Sequence, residues 1–155
     1  MKEGIHTVLE ALFENGTLEK ISFDHVGGGE DCALSLANLL MQNSTLQEVG
    51  MAYNGLTDKV CETLAQALRS NHSLKIINLS YNDISEAGAR LFIQALEANE
   101  VLEQVNLKFN LFEDTPTMEE LKSKCRSWPA EGVPGLDDVV PAPQSQKEFD
   151  QANIL

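Results

Sequence analysis

Leu74-Lys75-Ile76-Ile77-Asn78-Leu79-Ser80-Tyr81-Asn82-Asp83-Ile84 runs directly into Ser85-Glu86-Ala87-Gly88-Ala89-Arg90-Leu91-Phe92-Ile93-Gln94-Ala95-Leu96. In the first part apolar residues recur every second position, at Ile77 and Leu79, which is the period of a half-buried strand. In the second part they recur at Ala89, Phe92, Ile93 and Leu96, the period of an amphipathic helix. A strand followed by a helix within one short unit cannot bury its apolar faces alone, so neighbours of the same kind are required.

They are present on both sides. Written in lines of 28, the chain aligns Asn15, Asn43, Asn71 and Asn99, then Leu18, Leu46, Leu74 and Leu102. The same register brings together Ile21, Val49, Ile77 and Val105, and then Phe23, Met51, Leu79 and Leu107. Residues 1–125 therefore read as one repeat domain: a half-repeat helix at 1–14, full repeats at 15–42, 43–70 and 71–98, and a terminal repeat at 99–125. In the terminal repeat Pro116 stands in the slot of Gly88, and a helix is expected from about Thr117 to Cys125. Trp128-Pro129 breaks the pattern, and residues 126–155 read as an extended or disordered, Pro-containing acidic tail, with Trp128 available to cover the last repeat. Because the chain opens halfway through a repeat, the strand near Ile21 to Phe23 is expected to be an uncovered edge, open to end-to-end self-association or to further repeats.

The pattern from Leu74 to Leu96, Leu-x-x-Leu-x-Leu-x-x-Asn-x-Leu and then a Gly-Ala helix, resembles the ribonuclease-inhibitor-like class of leucine-rich repeats. That resemblance covers roughly residues 1–121. It implies an α/β solenoid, a right-handed horseshoe segment with parallel strands on the concave face and helices on the convex face. It also implies a structural role for Asn54, Asn82 and Asn110, whose side chains satisfy backbone groups of adjacent units. Val26 takes that place in the first repeat and is followed by Gly27-Gly28-Gly29.

Composition removes several function classes. Eleven basic against 24 acidic residues give a net charge of -13, which repels phosphate backbones and anionic headgroups, so neither nucleic acid nor a membrane is expected as a partner. No apolar run approaches the roughly 20 residues of a spanning helix. Cys32, Cys61 and Cys125, an odd number without metal spacing, fit reduced thiols and a cytoplasmic setting. The glycine triplet lacks the Lys-Ser/Thr pair of a phosphate loop. No cofactor, metal site or catalytic group is expected, and the chain is not expected to be an enzyme.

The residues with a functional reading lie at the end of each strand. His25, Tyr53, Tyr81 and Phe109 form a column next to the turn asparagine and should stack along the concave rim, either as a contact surface or as packing for the bend. Neighbouring concave positions include Glu48, Asn78 and Lys108. The expected function is a protein-interaction scaffold that receives its partner on the concave face. The resemblance also admits a Ran-type GTPase-activating protein, although there are few repeats and no continuous acidic run in the tail. The sensing end of an immune receptor and an actin-end capping domain, which use similar short arrays, remain open as well.

Overall fold

The computed structural model describes residues 2–127; residue 1 and residues 128–155, among them Trp128 and nearly all of the expected tail, lie outside the described residues. Strands and helices alternate along the chain: α1 (Lys2–Ala11), β1 (Lys20–Ser22), α2 (Gly29–Leu40), β2 (Glu48–Gly50), α3 (Asp58–Ser70), β3 (Ile76–Asn78), α4 (Glu86–Ala98), β4 (Gln104–Asn106) and α5 (Pro116–Lys124). The four strands form one parallel sheet in sequence order. Its register matches Lys20 to Glu48, Glu48 to Ile76 and Ile76 to Gln104. Every strand step is thus one 28-residue period, and among the described residues β1 is an edge of the sheet.

The two apolar strand columns point into the space between sheet and helices. Val49, Ile77 and Val105, with Met51, Leu79 and Leu107 behind them, meet Leu36, Leu64 and Phe92 from the helices in one continuous buried core. Ile21 is only partly buried against that core, because no strand among the described residues lies beyond β1.

The helix starts are tied to one another. Thr57 and Ser85 cap α3 and α4 by accepting from the Lys59 and Ala87 N–H groups, which satisfies donors that have no partner inside a helix. A carboxylate of the preceding helix then holds each cap hydroxyl: Glu30 accepts from Thr57 Oγ at 2.6 Å, and Asp58 from Ser85 Oγ at 2.5 Å. Glu86 accepts from Thr117 Oγ at 2.5 Å, and that bond, together with Arg90, lowers the Glu86 pKa below its usual range. The glycine triplet serves the α2 start: Gly27 and Gly29 take left-handed φ values of 63° and 58°, while a Cβ on Gly28 would lie 2.6 Å from the Cβ of Cys32.

The asparagines that opened the repeat register form a buried ladder of their own, a role the sequence reading left unassigned. Asn71 Nδ2 donates to the Leu40 and Asn43 carbonyls at 2.8 and 3.0 Å, and Asn99 Nδ2 to those of Leu68 and Asn71. Their Oδ1 atoms accept the N–H groups two and three residues on, Ser73 and Leu74 for Asn71, Val101 and Leu102 for Asn99. Each side chain closes its own turn and ties it to the previous one.

At the far end, the backbone bonds between repeats continue past α5. Arg126 and Ser127, assigned to the tail from sequence, donate their N–H groups to the Glu103 carbonyl. They do what Glu103 and Gln104 do to Lys75, and what Lys75 and Ile76 do to Gln47. The ladder therefore runs two residues further than the pattern predicted.

Burial raises the pKa of all three cysteines, Cys61 to about 12 and Cys32 to about 11, with Cys125 raised less far and also held by the Val105 carbonyl. A thiol reacts as its thiolate. Alkylation at pH 8 is expected to modify Cys125 first and Cys61 last, with Cys32 and Cys61 each at least about tenfold slower than a free thiol; mass spectrometry of a time course would show the order, and equal rates at all three would contradict it.

Candidate functional site: an aromatic stack beside the sheet

The residue three positions after each strand has left-handed backbone: His25 at φ 58°, Tyr53 at 55°, Tyr81 at 54° and Phe109 at 58°. Bulky residues avoid this region at a cost of roughly 1–2 kcal/mol each. Here it turns the chain from the sheet towards the helices while keeping the residue's N–H in the ladder. The His25, Tyr53 and Tyr81 N–H groups donate to the Ala52, Ser80 and Lys108 carbonyls at 3.0, 3.2 and 3.0 Å, and Phe109 donates to the Glu113 carboxylate.

The same turn lays the four rings face to face. Centroid separations are 3.9, 4.1 and 4.3 Å from His25 to Phe109, and the ring planes lie within 20° of their neighbours. Stacked pairs contribute about 0.5–1.5 kcal/mol each beyond area burial. Three pairs offset only part of the cost of four left-handed residues, so the remainder falls to the asparagines next door. Asn54, Asn82 and Asn110 follow the ring residues directly and are all buried. Asn82 Nδ2 donates to the Met51, Leu79 and Ser80 carbonyls at 3.1, 2.9 and 3.2 Å, and its Oδ1 accepts from the Asn54 and Leu56 N–H groups at 2.9 and 3.1 Å. Asn54 and Asn110 repeat the arrangement, Asn54 reaching the Phe23 carbonyl and Asn110 the Leu79 carbonyl.

This division of labour gives a test. Tyr81→Gly removes two stacking contacts but also the left-handed penalty, whereas Tyr81→Ala removes the contacts alone. The glycine variant is expected to be the more stable by about 1 kcal/mol, measured as the difference in urea unfolding free energy; an alanine variant equal or superior would show that the backbone here carries no strain.

The other expected surface residues are engaged in differing degrees. Glu48 pairs with Lys20 at 2.6 Å, both substantially exposed, which is worth at most about 1 kcal/mol. Asn78 Oδ1 accepts from the Ser80 N–H and Oγ and from Asn106 Nδ2, at 3.1, 2.8 and 3.0 Å, so it braces the face. The Lys108 N–H is answered by Asn106 Oδ1 at 3.1 Å.

Asp24 and Gly50, which the 28-residue register places in the concave columns, are joined through a bond that the register does not disclose. Ser22, Asn78 and Asn106 each cap the N–H two residues on, but Gly50 has no side chain to do so. Asp24 reaches across from the neighbouring repeat and takes the Ala52 N–H at 2.6 Å, in the space where a Cβ on Gly50 would lie 2.8 Å from its Oδ1. The glycine in column 22/50/78/106 was the signal. Beyond the last ring, Phe109 and Leu111 are 51% and 59% exposed, among the most exposed large apolar side chains described.

Among the described residues, no group of three or more His, Cys, Asp or Glu side chains is placed to hold a metal ion, and no helix is long and apolar enough to cross a membrane. A leucine-rich-repeat family model matches residues 70–92, the stretch that spans β3 and most of α4. The fold is that of a leucine-rich-repeat protein. A comparison with curated proteins returned no match. Among solved structures, the actin-binding site 2 domain of leiomodin-1 superposes with a TM-score of 0.71 at 19% identity, covering 80% of this chain and 71% of that one. The tropomodulin C-terminal domain of Caenorhabditis elegans does so with a TM-score of 0.70 at 19% identity, covering 80% and 74%. At that identity the likeness concerns the leucine-rich-repeat fold alone.

Proposed function

We propose that this leucine-rich-repeat protein is a non-catalytic scaffold of the ribonuclease-inhibitor-like class that binds a protein partner on its sheet face, with the aromatic stack as the anchor. The observation that carries this reading is the stack itself. Four aligned rings ending on an exposed Phe109 offer rigid contact area whose ordering entropy is already spent in the free molecule. His25 gives one end of the stack hydrogen-bonding capacity, and Glu48 and Lys108 add charge on the same face for specificity. Three free cysteines support a cytoplasmic setting.

The test compares faces. Affinity capture followed by quantitative mass spectrometry is carried out with the full chain, with Phe109→Gly combined with Glu48→Lys, and with Gln66→Lys on the exposed side of α3. Proteins lost at least about tenfold from the first variant and retained by the second support the sheet face as the binding surface; equal recovery by both removes it.

A second reading has one observation in its favour. The leiomodin-1 domain that shares this fold is an actin-binding site, and an actin-end capping role is the form it would take here. Elongation of labelled actin from filament seeds, with and without the chain at micromolar concentration, decides it; unchanged elongation at both filament ends excludes that role.

A further inference from the structure

We propose that the cleft between α1 and the outer edge of β1 receives an extended, basic segment of another protein as an added parallel strand. The exposure of equivalent positions marks the place. Val8 stands in the column of Leu36, Leu64 and Phe92, which are fully buried, yet it is 45% exposed. Ala11, one turn on, is exposed as well, where Leu39, Ala67 and Ala95 are fully buried. On the strand side, Leu18 and Ile21 are only partly buried, whereas Leu46, Leu74 and Leu102, and Val49, Ile77 and Val105, are at most 2% exposed. α1 packs on the side of α2 away from α3, so it overhangs β1. Apolar side chains from both layers thus border one opening, at the place that a strand takes in every later repeat.

The ladder inside the sheet sets what an added strand meets. Gln47 and Glu48 donate their N–H groups to the Glu19 carbonyl, and Phe23 and His25 donate theirs to the Gly50 and Ala52 carbonyls. Moved back by one repeat, the same pattern gives the Glu19 and Lys20 N–H groups to a carbonyl of the incoming strand, and the Ser22 and Asp24 carbonyls to two of its N–H groups. The pairing is parallel, as between β1 and β2. In strand addition, main-chain bonds of this kind give affinity and alternate side chains give specificity. Two apolar side chains two residues apart come to lie beside Ile21 and Phe23, beneath Val8.

Charge selects the occupant. Glu19 at the entry to β1 and Asp24 just beyond its end bracket the edge, and Glu14 stands in the turn before it. Lys20, the base within the strand, is held by Glu48 at 2.6 Å. The whole chain carries a net charge of -13. A segment with Lys or Arg beside Glu19 and Asp24 is therefore attracted, and an acidic one is repelled. A second copy of this chain fits less well on two counts. It brings the same acids, and edge-to-edge joining through a two-fold axis puts both helix layers on one side of the sheet, where the overhanging α1 of each copy meets α2 of the other.

A fluorescent synthetic peptide, Leu-Lys-Thr-Val-Thr-Val-Lys, tests the site by anisotropy with the full chain. Saturable binding is expected. It should weaken at least about tenfold when glutamate replaces both peptide lysines, and when the second valine is N-methylated, which removes the N–H that meets the Ser22 carbonyl. Val8→Lys and Glu19→Lys, each with unchanged circular dichroism, should lose affinity to the same degree. Phe109→Gly should leave it unchanged, which separates this cleft from the aromatic stack. No saturable binding, equal binding of the N-methylated peptide, or equal loss in Phe109→Gly and Val8→Lys overturns the proposal. So does a concentration-dependent dimer of the chain that Val8→Lys abolishes, because the edge then belongs to a second copy.

Discussion

Asn82→Ala is expected to lower the unfolding free energy by about 3–5 kcal/mol, a large fraction of the roughly 5–15 kcal/mol that holds a domain together. The side chain is buried and makes five hydrogen bonds, all to backbone, spread over two repeats. Alanine leaves the Asn54 and Leu56 N–H groups without their acceptor in a core that water does not reach, at about 1–3 kcal/mol each, and deprives the Met51, Leu79 and Ser80 carbonyls of a shared donor. The loss also frees the turn that keeps Tyr81 left-handed, so the cost includes strain no longer held in check. Urea unfolding followed by circular dichroism reads the change. Asn78→Ala, on the same repeat but on the half-exposed face, serves as the comparison and should cost no more than about 1 kcal/mol; similar losses at 78 and 82 would contradict the ladder's importance.

Gly88→Val is expected to cost about 3 kcal/mol, from a different cause. Gly88, in the first turn of α4, faces Asp58 and Cys61 of α3. A Cβ there would stand 2.8 Å from Ile84 Cγ2 and 2.9 Å from Cys61 Sγ, and would press on the Asp58 carboxylate. That carboxylate holds both the N–H and the hydroxyl of Ser85, at 2.8 and 2.5 Å, so the helices are forced apart and the α4 cap loses its brace together. Removing a helical glycine favours the variant by up to about 1 kcal/mol, too little to reverse the outcome. Cys61→Ala in the same chain should recover at least about 0.5 kcal/mol by making room. Thermal unfolding of the four proteins in that cycle checks it, and strict additivity would place the strain elsewhere.

The sequence was informative where a physical constraint repeats and obscure where one is borrowed from a neighbour. Alternation at Ile77 and Leu79 followed by helical spacing at Phe92 and Leu96 leaves little freedom in the fold, because one face of each element must be covered. The stack of His25, Tyr53, Tyr81 and Phe109 was visible as a column for the same reason. Its left-handed backbone was not, since the three aromatic residues normally avoid that region and only the flanking asparagines make it tenable. Asn43, Asn71 and Asn99 marked the register without disclosing their bonds, because an asparagine column has the same appearance whether it faces solvent or a buried turn. Asp24 was hidden more thoroughly: its partner is the N–H of Ala52, exposed only because Gly50 lacks a side chain. Arg126 and Ser127 escaped because the last repeat is five residues short, which breaks any search at a fixed period.

Val26, standing where the other repeats place an asparagine, has a consequence for how the molecule assembles. The side-chain bonds described between repeats join a unit to the one beside it, so order spreads by nearest-neighbour coupling, as in a zipper. The two central junctions, held by Asn54 and Asn82, are the strongest teeth, and the first, with no side-chain amide at Val26, is the weakest. Folding should therefore nucleate around β2 and β3 and grow outward, with α1 closing last. On warming, α1 should come away first, while the Asn54 bonds to Phe23 and Gly28 keep β1 in the sheet and His25 in line with Tyr53, Tyr81 and Phe109.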